Sequence, residues 1–217
     1  MNAPISKIQA ALARQPVHNV PSFRLVRREW SRKLSTTSGR AVIALARKLA
    51  SQGGWERLLT YELLVNHHEA SHSLTTKDVV ALGRGIKSWG EVDCFAAYVS
   101  GPAWREGNIP TRLIQGWTHS EDHWWRRAAV VSTVPLNSRA RGGKGDARRT
   151  LRICRLVIAD RHDMVVKALS WALRELSKRD KPAVESFIER HSQRLAPRVL
   201  REVRTKMRTG LKNPRRK

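Results

Sequence analysis

Cysteine is scarce in this chain: Cys94 and Cys154 are the only two in 217 residues, and no C-x-x-C spacing occurs. That argues against a disulfide framework and a cysteine-built zinc site, and it reads both as reduced core thiols. Long apolar runs are missing as well. None approaches the ~20 residues of a membrane-spanning helix, and Met1–Lys7 has no apolar segment of the signal-peptide kind. The expectation is a soluble intracellular protein, cytoplasmic and nucleoid-associated in a bacterium, with no place in a membrane. Nor does any segment sustain the period-two alternation of a β-strand. Acid is the last scarcity. Only 18 Asp and Glu stand against 42 Lys and Arg, giving a net charge of +24 and a pI near 11.5. So self-repelling a balance points to a polyanionic partner, nucleic acid before an anionic membrane surface.

What is present is helical periodicity from end to end. Apolar positions at helical spacing predict helices over about 3–15, 22–35, 40–51, 54–70 and 148–159, and again over 163–179, 182–192 and 197–209. Thr75 to Asp78 forms a capping-box variant, Thr118 to Glu121 spells T-x-x-E ahead of Trp124, and Gly210 closes the last helix. The helix bearing Asp93 is expected to end near Gly101-Pro102. Residues 137–147 hold three glycines and no periodicity, which predicts a mobile basic loop. About twelve helices result, two per 35 to 40 residues. That period fits an all-α solenoid of antiparallel helix pairs, one domain over 1–210 with a concave basic face and a frayed basic tail at 211–217.

His68-Glu69-Ala70-Ser71-His72 is a literal H-E-x-x-H, whose two histidines one turn apart bind zinc in metallopeptidases. The chemistry needs that motif in the middle of a helix. Here it falls at the end of a helical pattern, with Ser71, Ser73 and Thr75 close behind. Asp78 and Glu91 lie in no extended zincin pattern, and the sheet that such folds bring is absent from the reading. A surface histidine cluster is therefore the reading taken, with no metal and no cofactor expected.

Three other stretches carry chemistry. On helices, Trp89 and Asp93 of Trp89-x-x-Val92-Asp93 share a face, as do Trp124 and Arg127 of Trp124-x-x-Arg127-Ala128-Ala129. In Lys167-Ala168-x-x-Trp171-x-Leu173-Arg174-Glu175, Trp171 lies one turn from both Lys167 and Arg174. Taken singly, each tryptophan is more often core than ligand contact. A carboxylate beside an aromatic in so basic a chain is the unusual element.

In this order, together with Leu195-Ala196-Pro197 and Arg201-Glu202, these motifs resemble the HEAT-like-repeat DNA alkylation repair glycosylases of the AlkD type. The match runs from about Gly83 to Gly210; the first third agrees only in helix pattern. The resemblance implies a catalytic carboxylate at Asp93, lesion and sugar contacts at Trp89 and Trp171, and DNA contacts at Arg127, Lys167 and Arg174. It also implies excision of N3- or N7-alkylated purines from duplex DNA without base flipping, by a monomer that needs no cofactor. Gly90 stands where many members carry Asp, read here as an exchange at a helix N-cap. The 137–147 loop looks like an insertion.

Overall fold

The computed structural model describes residues 2–17 and 19–212, and every regular element among them is helical. Two compact units are formed, one over residues 1–109 and the other over 110–217. The first contains α1 (Asn2–Ala13), α2 (Val20–Lys33), α3 (Gly39–Ala50), α4 (Gly54–Val65), α5 (His68–His72), α6 (Thr76–Gly83), α7 (Trp89–Phe95) and α8 (Gly101–Arg105). The second contains α9 (Thr111–Trp117), α10 (His123–Val131), α11 (Val134–Asn137), α12 (Ala147–Leu156), α13 (Asp163–Leu176), α14 (Lys181–Arg190) and α15 (Pro197–Thr209). Three of these fifteen segments, α5, α8 and α11, have five residues or fewer. α5 follows the break at Asn66 and His67, α8 is the last stretch of the helix that begins at Trp89, and α11 starts just ahead of Pro135.

In the first unit α4 is the central helix. Leu59, Tyr61 and Leu64 are fully buried, and α4 packs against α2, α3 and α7. The Tyr61 hydroxyl donates to Leu82 O at 2.8 Å, and burial pushes its pKa well above the ordinary value. In the second unit α13 takes that place, packing against α10, α12 and α15. Its Val165, Ala168, Ala172, Leu173 and Leu176 are fully buried, while Lys167, Trp171 and Arg174 form its half-exposed stripe. Cys154 is buried and its thiol is pushed up to about 12 by desolvation, in keeping with an inert core position.

Several local expectations hold, because the signals behind them are short-range. Thr75 and Asp78 cap each other reciprocally at the start of α6, and Gly210 closes α15 at φ 74°. Others give way to tertiary contacts. The α7 helix does not end at Gly101-Pro102. It widens into a π turn over Ala96–Ser100, with Gly101 N–H bonding Ala96 O, and continues as α8. Proline in a regular helix clashes with the carbonyl one turn back, and the wider turn just ahead of Pro102 relieves that clash. Residues 137–147 are a built turn rather than a loose loop. Asn137 is buried, its side-chain amide donates to Thr133 O and Thr150 Oγ1, and its Oδ1 accepts from Asp146 N–H. From α13's C-terminal end, the Arg179 guanidinium donates to Asn137 O and Gly143 O. Gly143 lies so close to the Pro135 carbonyl that a Cβ would collide with it. The glycines read as flexibility are, at this position, a requirement of close approach.

Of the expected tail, residues 213–217 lie outside the described residues. Lys212 lies 3.7 Å from Glu202.

Candidate nucleic-acid interface

The start of α7 is fixed by residues from three directions. Ser88 is the N-cap, its hydroxyl accepting from Glu91 N–H, and the Glu91 carboxylate accepts from Lys87 N–H at 2.8 Å and from Gly54 N–H at 3.2 Å. One carboxylate therefore serves the first turn of α7 and the first turn of α4 together. The buried Arg57 guanidinium comes within 3.9 Å of Glu91 and donates to Ala50 O. Gly90 is consequently not the cap but the second residue of the helix, and a side chain there would meet open space. An Asp at this position would fit without displacing anything. The sequence signal for Ser88 and Glu91 was present as an S-x-x-E capping box, the more informative reading of that stretch.

On the far side of α7, Val92 and Phe95 are fully buried, with the Phe95 ring 5.7 Å from Tyr61. This leaves Trp89 and Asp93 on the outward face. Trp89 is 62% exposed, the largest exposure of any large apolar side chain described. Asp93, one turn on, is half-buried and lies three residues ahead of the start of the π turn. Such turns recur beside functional residues because they reset the direction of the side chains around them.

The candidate residues of the second unit are held more firmly than a surface reading suggests. Arg127 is 6% exposed, and its Nη1 donates to Met164 O at 2.6 Å, joining α10 to the first turn of α13. It is an anchored guanidinium rather than a freely reaching one. Lys167 is paired with Asp163 at 2.6 Å, which lowers the Asp163 pKa chiefly through that hydrogen bond. Arg174 donates to Ser170 Oγ at 3.2 Å and lies 3.9 Å from Glu202; burial draws its pKa down, and Glu202 and Glu175 oppose the change. Trp171 stands between them, half-buried.

Neither of the adjacent tryptophans on α10 is fully buried. Trp125 packs on the buried Trp117 at 4.8 Å, whereas Trp124 lies against His123, which in turn stacks on His162 at 3.9 Å. Burial, then the neighbouring His162, lowers the His123 pKa. Nor does the T-x-x-E box form at α10. Thr118 closes α9 instead, Asp122 Oδ1 accepts from Trp124 N–H, and the Arg126 guanidinium draws in Ser120 O, Glu121 O and Asp160.

His68, Glu69 and His72 occupy the five-residue α5, all exposed, with the two imidazoles stacked at 4.2 Å and His72 Nδ1 against His68 O. Among the described residues, no three His, Cys, Asp or Glu side chains are grouped to hold a metal ion. No described helix is long and apolar enough to cross a membrane.

No curated protein matches this chain. A solved structure described as a predicted DNA alkylation repair enzyme from Enterococcus faecalis is similar over 95% of both chains, with a TM-score of 0.70 at 17% identity. At that identity the likeness is one of fold, and it assigns the chain to the all-α helical-repeat class. The family model described as DNA alkylation repair enzyme matches residues 18–207, a span holding Trp89, Asp93, Arg127, Lys167, Trp171 and Arg174. On that match, the chain belongs to the DNA alkylation repair enzyme family.

Proposed function

We propose that the protein is a DNA glycosylase that hydrolyses the N-glycosidic bond of N3- or N7-alkylated purines in duplex DNA, as the first step of base excision repair. The observation that carries this reading is the outward face of α7. A tryptophan left 62% in water lies one turn from a carboxylate, on a helix whose inner face and first turn are fully anchored. A large aromatic so exposed in a fixed position is more useful as a contact than as packing.

Alkylation at N3 or N7 makes the purine cationic, so it departs as a neutral base without being protonated. Water adds to C1′, the C1′–N bond breaks with its electron pair leaving on the base, and the water proton passes to the carboxylate or to solvent. The transition state resembles an oxocarbenium ion. Asp93 opposes that charge and orients the water. Trp89 and Trp171 offer ring faces to the sugar and the cationic base, and excision proceeds without an enclosing base pocket. Lys167 and Arg174 hold DNA phosphates, while Arg127 keeps α10 and α13 in register. The chain acts as a monomer and needs no metal or cofactor, since charge on the substrate supplies the activation.

The test is single-turnover incubation of methylated duplex DNA at saturating enzyme, with released bases separated chromatographically. Appearance of 3-methyladenine or 7-methylguanine is expected. Bound duplex with no released base would make the chain a binding protein for damaged or distorted DNA instead.

A further inference from the structure

In the second unit α12 and α14 border a cleft of about 330 Å³ lined by Arg148, Arg152, Arg155, Arg190 and His191, with no carboxylate among its described lining residues. Leu151 and Phe187 supply an apolar floor. The three arginines of α12 lie at i, i+4 and i+7, one stripe of the helix, and all three are exposed. Among the described residues none of the three is paired with an acid, although Arg149 beside them is tied to Asp146 at 2.5 Å. Arg190 is oriented by a hydrogen bond to Ser186 Oγ, and the edge of the His191 ring meets Phe187. Burial, followed by the charges of Arg194, Arg155 and Arg190, keeps His191 toward its neutral form.

The neighbouring cleft shows that this is not simply how the chain spends its basic residues. Between α14 and α15 a space of about 550 Å³ mixes Arg201, Arg204 and Arg208 with Glu185 and Glu189, and Lys181 pairs with Glu185 at 3.6 Å. There, cation and acid compensate each other. At the α12–α14 cleft four guanidiniums converge with no acid among the described lining residues, an arrangement whose repulsion a bound polyanion would relieve.

We propose that the α12–α14 cleft is a second contact for duplex DNA, holding the phosphate backbone outside the lesion. Over seven residues the α12 stripe extends ~10.5 Å, about the axial rise of three phosphates of one strand. Guanidiniums are suited to phosphate oxygens by their planar fork of donors. The stripe is also separate from the lesion-contacting residues of its own unit. On α12 the buried Thr150, Ile153 and Cys154 lie opposite the arginines, and the described lining of the cleft includes none of Lys167, Trp171 and Arg174. Such a contact lets the protein stay on undamaged DNA by charge alone while its other residues sample the duplex. The inference rests on membership of a DNA repair family and not on the Asp93 chemistry.

The experiment compares the full chain with the variant carrying Arg148→Gln, Arg152→Gln and Arg155→Gln in binding to an undamaged duplex over a range of salt. The log–log salt slope should become shallower by about 2.7, at ~0.9 per phosphate, with affinity down by about 10²-fold at ~0.15 M salt. Replacing the same three residues by Lys should restore most of the slope. An unaltered slope overturns the proposal, as does a loss confined to inorganic polyphosphate or single-stranded RNA. A second measurement uses the unaltered protein: duplex DNA should shield Arg148, Arg152 and Arg155 from phenylglyoxal, and equal labelling with and without DNA refutes the site. Excision of a lesion at saturating enzyme should survive the triple Gln change. Absence of excision in the unaltered protein would sink the glycosylase reading and leave both binding results standing.

Discussion

Two stripes of the second unit carry positive charge in opposite ways. On α13, Lys167 is held by Asp163, and Arg174 by Ser170 and the buried Glu202; on α12, Arg148, Arg152 and Arg155 meet no carboxylate among the described residues. The difference teaches that a net charge of +24 does not by itself locate a nucleic-acid surface. A compensated cation fixes geometry and adds little long-range attraction. An uncompensated one attracts but is poorly fixed. The α13 stripe therefore suits alignment at a reacting sugar, and the α12 stripe suits capture.

Separating chemistry from attraction gives the largest expected effect. Asp93→Asn keeps shape and removes charge, so single-turnover release should fall by about 10²- to 10³-fold. Duplex affinity should stay equal or improve slightly, because DNA repels the carboxylate. Full activity in this variant would mean the carboxylate plays no part in the reaction. Next comes a direct contrast between a fixed and a free cation. Arg127→Ala removes the side-chain bond to Met164 O that joins α10 to α13 and opens a buried volume, which should cost about 2–4 kcal/mol in denaturant unfolding. Arg152→Ala should lie within about 0.5 kcal/mol of the unaltered protein. Equal effects would erase the distinction drawn between the two stripes.

Trp89→Ala tests the outward face of α7. Stability should change by no more than about 0.5 kcal/mol, since the ring is mostly in water. Lesion binding should weaken by about 1–3 kcal/mol through lost stacking. A large stability loss with unchanged excision would return Trp89 to a packing role.

The smallest effect concerns acid. Burial raises the Glu202 pKa, but the Ser170 hydroxyl, Arg198 and Lys212 outweigh it and leave the folded value below the unfolded 4.5. A depressed carboxylate stabilises the fold fully above its unfolded pKa, and that share is lost as pH falls through the lower folded value. Urea unfolding at about pH 6 and about pH 3.5 should show this decline in the unaltered protein and a flatter one in Glu202→Gln. Identical acid limbs would exclude Glu202 as a source of it.

Much of the candidate site was legible because its spacing is helical: Trp89 with Asp93, and Lys167 with Trp171 and Arg174, do share faces on α7 and α13. What was not legible is what restrains them. Ser88 and Glu91 mark the true cap locally as S-x-x-E, but the tie of the Glu91 carboxylate to Gly54 N–H, 37 residues away, does not show in the order of residues. Arg127 looked like a surface cation because burial cannot be read from one helix, and its carbonyl partner Met164 lies on another.

By itself the sequence determined the all-helical class, the caps at Thr75–Asp78 and Gly210, the basic balance and the helix positions of the motif residues. These follow from periodicity, local hydrogen bonding and counting, which act over a turn or two of chain. Only tertiary structure decided that 137–147 is a pinned turn and which of the described cations have an acid partner. Those outcomes depend on distant partners such as Arg179 for Gly143, Glu62 for Arg24 and Arg27, and Glu202 for Arg174. Coulomb attraction and close packing act through space, so the order of residues along the chain does not encode them locally.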